Sequence, residues 1–235
     1  MRVCVGDLVA LAESAFDRAT AEQIATVCGV GSPEGLEGVW VDLSPIETCE
    51  VGRIFARALD GRSVYTRTHA RSVARRSRAL AYQRGMDDEG ASRLYLAGAL
   101  HDIGKLRVPS MVLNKPGRLT ETEFAQVKRH AMWTWEMAGS VTGLEDVRRW
   151  AGYHHERLDG SGYPFGLTAP DLDEPSRIVA CADVYSALTE LRSYRVTSTP
   201  EQALETMRGQ AREGKLDARL VEDVAELVRT DKYEA

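Results

Sequence analysis

An imidazole and a carboxylate stand side by side at His101-Asp102, followed by Ile103, Gly104 and Lys105. Two more imidazoles are adjacent at His154-His155, ahead of Glu156-Arg157-Leu158-Asp159-Gly160-Ser161-Gly162-Tyr163-Pro164. The chain has five histidines, His69, His101, His130, His154 and His155, and all five are read as metal ligands. A single histidine on an apolar stripe is more often a hydrogen-bonded core residue. Five of them, together with Asp102 and Asp183, change that balance, because burying so many ionisable groups costs several kcal/mol each unless a cation pairs with them. Neighbouring helix positions diverge by about 100°, so His101 and Asp102 are expected to face different metal positions. A carboxylate has two oxygens, and Asp102 could bridge ions about 3.5–4 Å apart, the spacing of two-metal hydrolytic sites. Lys105, four residues after His101 on the same expected face, could neutralise a substrate phosphate. In the loop, Gly160 and Gly162 allow backbone forms that a side chain would forbid, and Tyr163 offers a ring that could pack on a guanine or a partner.

Helices must position these groups. An amphipathic helix is expected over 7–28, capped by Asp7, with Leu8, Leu11, Ala15, Ile24 and Val27 at helical spacing and Gly29 and Gly31 ending it. Val39, Val41 and Leu43 alternate as in a short extended piece. Ser44 and Glu47 form a capping box with Pro45 between them, starting a helix to about Leu59 that Asp60-Gly61 ends. His69, Val73, Ser77, Leu80 and Ala81 share one stripe of a helix over 65–84 capped by Gly85, and the arginines of 71–78 read as its solvated face. Helical period continues from Ala91 to Lys105. A capping box at Thr120 and Glu123 opens a helix whose inner face carries Phe124, Val127, His130 or Ala131, and Thr134. Val147, Trp150, Ala151 and His154 repeat the pattern, and Asp183 is a lone carboxylate among Ile178, Ala182, Tyr185 and Leu188. Two helices follow, one begun by Thr199-Pro200-Glu201-Gln202 and one over 218–229. With no recurring strand pattern and no repeat, the fold class is all-α.

The 235 residues can bury a full hydrophobic core, and 43% hydrophobic and 28% charged residues fit an ordinary globular chain. A net charge of −5 argues against a DNA- or RNA-coating surface. Cys4, Cys28, Cys49 and Cys181 lack CxxC spacing and are expected as free thiols. No apolar run approaches the length that spans a bilayer and no signal region is visible, so no membrane role and a cytoplasmic location are expected.

HDIGK at 101–105 followed by HHERLDGSGYP at 154–164 resembles the HD-GYP group of the HD phosphohydrolase superfamily, bacterial phosphodiesterases acting on cyclic di-GMP. VPSMVLNKPGRLTETEF at 108–124, His130, and RIVACADVYSAL at 177–188 follow in that group's order and spacing, and the resemblance runs from about Ser63 onward. It implies an HD-type helical bundle with a metal site in its core over 62–235, leaving 1–61 as a short, mainly helical N-terminal appendage of unknown role. It further implies two divalent ions, one on His69, His101, Asp102 and Asp183 and the other on Asp102, His130, His154 and His155. Iron or manganese is favoured, with nickel or zinc also compatible with these donors. Members holding a third ion carry a glutamate four residues before the first histidine, where this chain has Tyr65.

The resemblance gives Asp102 and Lys105 catalytic roles, and makes Lys105, Arg192, Arg195, Gly162, Tyr163 and Pro164 substrate contacts. The implied reaction is hydrolysis of cyclic di-GMP to pGpG or GMP in second-messenger signalling, with a diguanylate cyclase partner and a homodimer as further expectations. Ser186 stands where an aspartate is common, and Ala131, Trp133 and Thr134 depart from the usual proline and glycine pattern. These departures keep open a catalytically weak nucleotide-binding or scaffold module, or a phosphodiesterase for a different cyclic dinucleotide. A broader nucleotide phosphohydrolase is disfavoured, because the Gly162-Tyr163-Pro164 loop has no role there.

Overall fold

The computed structural model describes residues 1–61, 68–190 and 197–230. Tyr65, Arg192 and Arg195 lie outside the described residues, so their expected roles have no structural counterpart here. Among the described residues the chain is helical apart from two three-residue strands, as its all-α reading requires. Strand β1 (Arg2–Cys4) pairs antiparallel with β2 (Trp40–Asp42), with Val3 opposite Val41.

Helices α1 (Val5–Ala15) and α2 (Arg18–Val27) replace the single helix expected over 7–28. Asp17 breaks it, accepting from the Thr20 amide at 2.8 Å and the Thr20 hydroxyl at 2.7 Å, and so starts a new helix. Asp7 does not cap α1. Its carboxylate accepts instead from the amide and hydroxyl of Thr142, a distant residue. Helix α3 (Pro45–Asp60) begins with the expected Ser44–Glu47 capping box.

Helix α5 (Asp88–Leu100) is the axis of the body, buried from Ala91 through Leu100 apart from Arg93. It is surrounded by α3, α4 (His69–Gln83), α8 (Glu145–Gly152) and α9 (Glu174–Thr189). Between them lie α6 (Ser110–Leu113) and α7 (Glu121–Ala138), the latter opened by the Thr120–Glu123 box. Helices α10 (Pro200–Arg212) and α11 (Ala218–Thr230) pack on α9. Val3, Leu8, Ile24 and Phe55 join the same buried cluster as Leu94, Ile178 and Val221, so residues on both sides of position 61 share one hydrophobic core.

Three details depart from the sequence reading. The α-helix ends at Leu100 rather than Lys105, and Ile103–Arg107 tightens into a 3-10 turn. Phe124 is 49% exposed rather than inward, although His130, Ala131 and Thr134 are buried as expected. The arginines of α4 are not all solvated: Arg71 pairs with Asp60 at 3.0 Å, and Arg76 donates to Ser186 at 2.7 Å. All four cysteines are free and buried, and burial pushes the Cys28 thiol up to about 11 and the Cys181 thiol up to about 12. No described helix is long and apolar enough to cross a membrane.

Candidate metal centre

Five segments deliver seven side chains to one point. His69 opens α4, His101 and Asp102 follow the last turn of α5, and His130 lies in α7. His154 and His155 follow α8, and Asp183 sits within α9 among apolar residues. Three sets of donors lie close enough to share an ion: His69, His101 and Asp183; His101, Asp102 and His154; and His130, His154 and His155. Within each set the donor atoms lie within 4.8 Å of one another. Asp102 is central. Its Oδ1 is 3.3 Å from His130 Nε2 and 4.0 Å from His154 Nε2, while its Oδ2 is 3.3 Å from His101 Nε2 and 3.8 Å from His69 Nε2. One carboxylate thus faces both halves of the cluster with different oxygens.

The imidazoles are oriented from behind. The Nδ1–H of His101 donates to the Gly98 carbonyl at 2.7 Å, that of His130 to Val127 at 2.6 Å, and that of His154 to Ala151 at 2.7 Å. In each case the acceptor is three residues earlier in the chain. His69 instead donates from Nδ1 to Glu190 Oε2 at 2.9 Å. The carbonyl partners of His101, His130 and His154 fix the tautomer and leave a bare Nε2 lone pair facing inward, while His69 Nε2 lies 3.2 Å from Asp183 Oδ1.

That arrangement supplies the test of fit. His130 Nε2 and His154 Nε2 lie 3.1 Å apart, and with both protons on Nδ1 two lone pairs oppose each other. His101 Nε2 is buried with no hydrogen-bond partner. Opposed or orphaned lone pairs are costly in a buried site, and a shared cation turns each into a ligand bond. The donor set therefore fits a divalent metal ion.

Protonation favours the same occupant. Burial pushes His130 down to about 4 against the pull of Asp102, and holds His154 and His155 well below the usual imidazole range. Burial would raise Asp102, but the Lys105 ammonium, with the imidazoles of His101 and His130 beside it, holds it well below the usual carboxylate range. Asp183 is likewise low, burial being outweighed by the hydrogen bond from His69 and nearby positive charge. His69 is raised to about 9: burial opposes this, but Asp183 and Glu190 both accept from it. Neutral His130, His154 and His155 beside ionised Asp102 and Asp183 are the state a metal site requires, and His69 would give up a proton to join it.

Lys105 does not stand one turn after His101 on an α-helix. It lies in the 3-10 turn, with Nζ 2.5 Å from Asp102 Oδ2. Gly104 lets the turn approach α7, since a methyl group there would collide with the His130 carbonyl and the Thr134 amide. Thr134 then bridges the contact, its hydroxyl accepting from the Gly104 amide at 3.0 Å and donating to the His101 carbonyl at 2.8 Å.

The 156–167 loop is pinned by Glu156, a buried carboxylate accepting from the Phe165 amide at 2.7 Å and the Leu167 amide at 3.0 Å. Gly160 has φ +80°, whereas Gly162 is needed for space, because a side chain there would strike the backbone of Glu156 and Arg157. Tyr163, joined to Pro164 by a cis peptide, stacks 4.7 Å from the His155 ring.

Glu190 escaped the sequence reading, and so did the roles of Thr134 and Glu156, although Thr134 was placed on an inner face and Glu156 within the second motif. Glu190 left a signal, since it follows Asp183 by seven residues and so falls on the same helical stripe. Ser186 touches none of the seven donors. It holds Arg76, whose guanidinium lies 3.7 Å from Glu190 Oε1 and 5.1 Å from the Tyr185 ring centroid.

The HD domain family profile matches residues 53–220. A 3'3'-cGAMP-specific phosphodiesterase 1 of Vibrio cholerae is 41% identical over 174 residues, covering 74% of this chain and 40% of that protein. Cyclic di-GMP phosphodiesterase PA4108 of Pseudomonas aeruginosa is 39% identical over 61% of this chain and 35% of its own length. The chain thus spans well under half the length of these relatives. Among solved structures, Bd1817, an HDG"Y"P protein from Bdellovibrio bacteriovorus, superposes with a TM-score of 0.60 at 18% identity, covering 94% of this chain and 77% of that one. That likeness is one of fold. With the profile matched over most of its length, and with HDIGK and the Gly162-Tyr163-Pro164 loop meeting at one cluster, the chain belongs to the HD domain family and carries its HD-GYP pattern.

Proposed function

We propose that this protein is a metal-dependent phosphodiesterase that hydrolyses cyclic di-GMP to pGpG or GMP. The observation that carries the reading is the pair of opposed Nε2 atoms of His130 and His154 at 3.1 Å, a contact that a bound cation turns from repulsive to favourable. In this reading His69, His101, Asp102 and Asp183 hold one ion, and Asp102, His130, His154 and His155 hold the other. The oxygen donors and absence of thiolate suit iron or manganese. Such ions supply an acidified water as nucleophile and positive charge against the phosphoryl oxygens.

The remaining steps belong to the chain. Asp102, with an oxygen toward each half of the cluster, fixes the relative positions of the two halves. Lys105 keeps Asp102 ionised and presents its partly exposed ammonium to a phosphate oxygen. Glu156 holds the loop so that Tyr163 covers His155 and, with Gly162 and Pro164, borders the substrate. Arg192 and Arg195 complete the proposal as phosphate contacts. Residues 1–61 extend the helical body ahead of the phosphodiesterase domain at 62–235.

A second substrate, 3'3'-cGAMP, is favoured by the name of the 41% identical relative from Vibrio cholerae. Metal analysis with product chromatography tests both. Expected are bound divalent metal and linear dinucleotide or mononucleotide from one or both cyclic substrates, with turnover lost in Asp102→Ala. Retention of nucleotide without turnover would make the protein a binding module, and hydrolysis of mononucleotides alone would make it a broader nucleotide phosphohydrolase.

A further inference from the structure

We propose that Phe124 and Lys128 of α7, together with Tyr163, form a platform at the mouth of the metal centre that binds a purine base and its phosphate. The inference rests on the phosphodiesterase reading above and names the part of the substrate that the metal donors cannot recognise.

Phe124 and Lys128 are four residues apart on one helix, which brings their side chains together on one face. The Lys128 ammonium lies 4.9 Å from the Phe124 ring centroid and 5.2 Å from that of Tyr163. Tyr163 stacks 4.7 Å from His155, whose ring is 5.0 Å from His130. His130, His155 and Tyr163 thus form a line of rings leading out from the buried donors, and the Lys128 ammonium links Tyr163 to Phe124, which is 49% exposed.

An exposed aromatic alone is ordinary. Here three features converge on one ligand chemistry. Phe124 is half exposed, the ammonium between the two rings makes no ion pair among the described residues, and the far end of the array touches a residue of the metal cluster. Bases stack on aromatic faces, and a lysine beside them meets the attached phosphate as a point charge. The metal donors and Lys105 address only phosphate oxygens. The array adds recognition of the base, so it separates a purine dinucleotide from a phosphodiester that has no base.

The test compares metal-loaded wild type with Phe124→Ala, Phe124→Trp and Lys128→Ala on cyclic di-GMP, 3'3'-cGAMP and bis(p-nitrophenyl) phosphate, a diester without a purine. Phe124→Ala is expected to raise KM for the cyclic dinucleotides about tenfold, within the range that a base–aromatic stack supplies. It should leave metal content and hydrolysis of the nitrophenyl diester unchanged, and Phe124→Trp should restore the lower KM. Lys128→Ala should also raise KM for the dinucleotides and flatten its dependence on salt. An unchanged KM in Phe124→Ala, or an equal loss on all substrates, overturns the platform. Should wild type cleave the nitrophenyl diester and no cyclic dinucleotide, the functional reading falls separately. Calorimetric binding of GMP then decides the platform: weaker binding to Phe124→Ala supports it, and equal binding overturns it.

Discussion

Glu190 aims His69 without itself reaching the centre, and the difference between those two roles is measurable. Its carboxylate accepts from His69 Nδ1, and Arg76 stands behind it. Removing such an outer partner typically lowers metal affinity about 10- to 100-fold. Glu190→Ala should therefore weaken binding of one ion by that factor in a metal titration, while circular dichroism stays unchanged. Glu190→Gln keeps an acceptor and should lose less. Equal affinity in all three proteins would reduce Glu190 to a surface acid. That seven ionisable side chains meet was legible in the sequence, from their types on apolar stripes and from the resemblance carried by HDIGK and HHERLDGSGYP. Glu190 and Thr134 were not. A glutamate at a helix end and a threonine in a helix are ordinary residues, and only the approach of α9 to α4, or of the 3-10 turn to α7, gives them a function.

At the scale of elements, caps were the readable part. The boxes at Ser44–Glu47 and Thr120–Glu123 form as their spacing predicts, and the helix expected to start at Thr199 does so with a Thr199–Gln202 box. The break at Asp17 was missed because apolar period continues across it, and the early end of α5 was missed because period says nothing of a neighbour's backbone. That neighbour is α7, which the 3-10 turn approaches so closely at Gly104 that a side chain there would strike its backbone. Asp217 shows a cap acting between elements: it accepts from the Arg219 amide at the start of α11 at 3.0 Å and from Arg177 of α9 at 3.0 Å. Burial would raise this carboxyl, but bonds from Arg219 and Arg177 outweigh it and hold it below its ordinary value. A carboxyl with a lowered folded pKa stabilises above the unfolded pKa of about 3.9 and loses that contribution as pH falls through the folded value. Asp217→Asn keeps an acceptor for the helix start but loses the charge facing Arg177 and Arg219. It should therefore cost about 1 kcal/mol at neutral pH, the difference between a charged and a neutral hydrogen bond, and the gap from wild type should close below about pH 4. Urea melts at both pH values check this, and a gap that persists in acid would argue against an ionised role.

For the whole molecule, five segments meet at one cluster, so occupancy of that cluster and integrity of the fold are thermodynamically linked. A ligand at a hundred times its dissociation constant stabilises by about 2.7 kcal/mol. In a chain of this size that corresponds to a melting shift of about 5–10 °C. Chelation should lower the calorimetric melting temperature by that amount, and readdition of metal should restore it. An unchanged melt would speak against metal at this cluster. The helical class was readable from the chain because period and caps are local. The shared core across position 61 was not, because it depends on which helices surround α5. The carbonyls behind the imidazoles carry one more consequence. His101, His130 and His154 each take their bearing from a residue three places earlier, so these rings can adopt their working attitude wherever their own segment is wound. His69 opens its helix and borrows its bearing from Glu190, more than a hundred positions along the chain. The centre is thus part self-setting and part dependent on the contact between α4 and the end of α9.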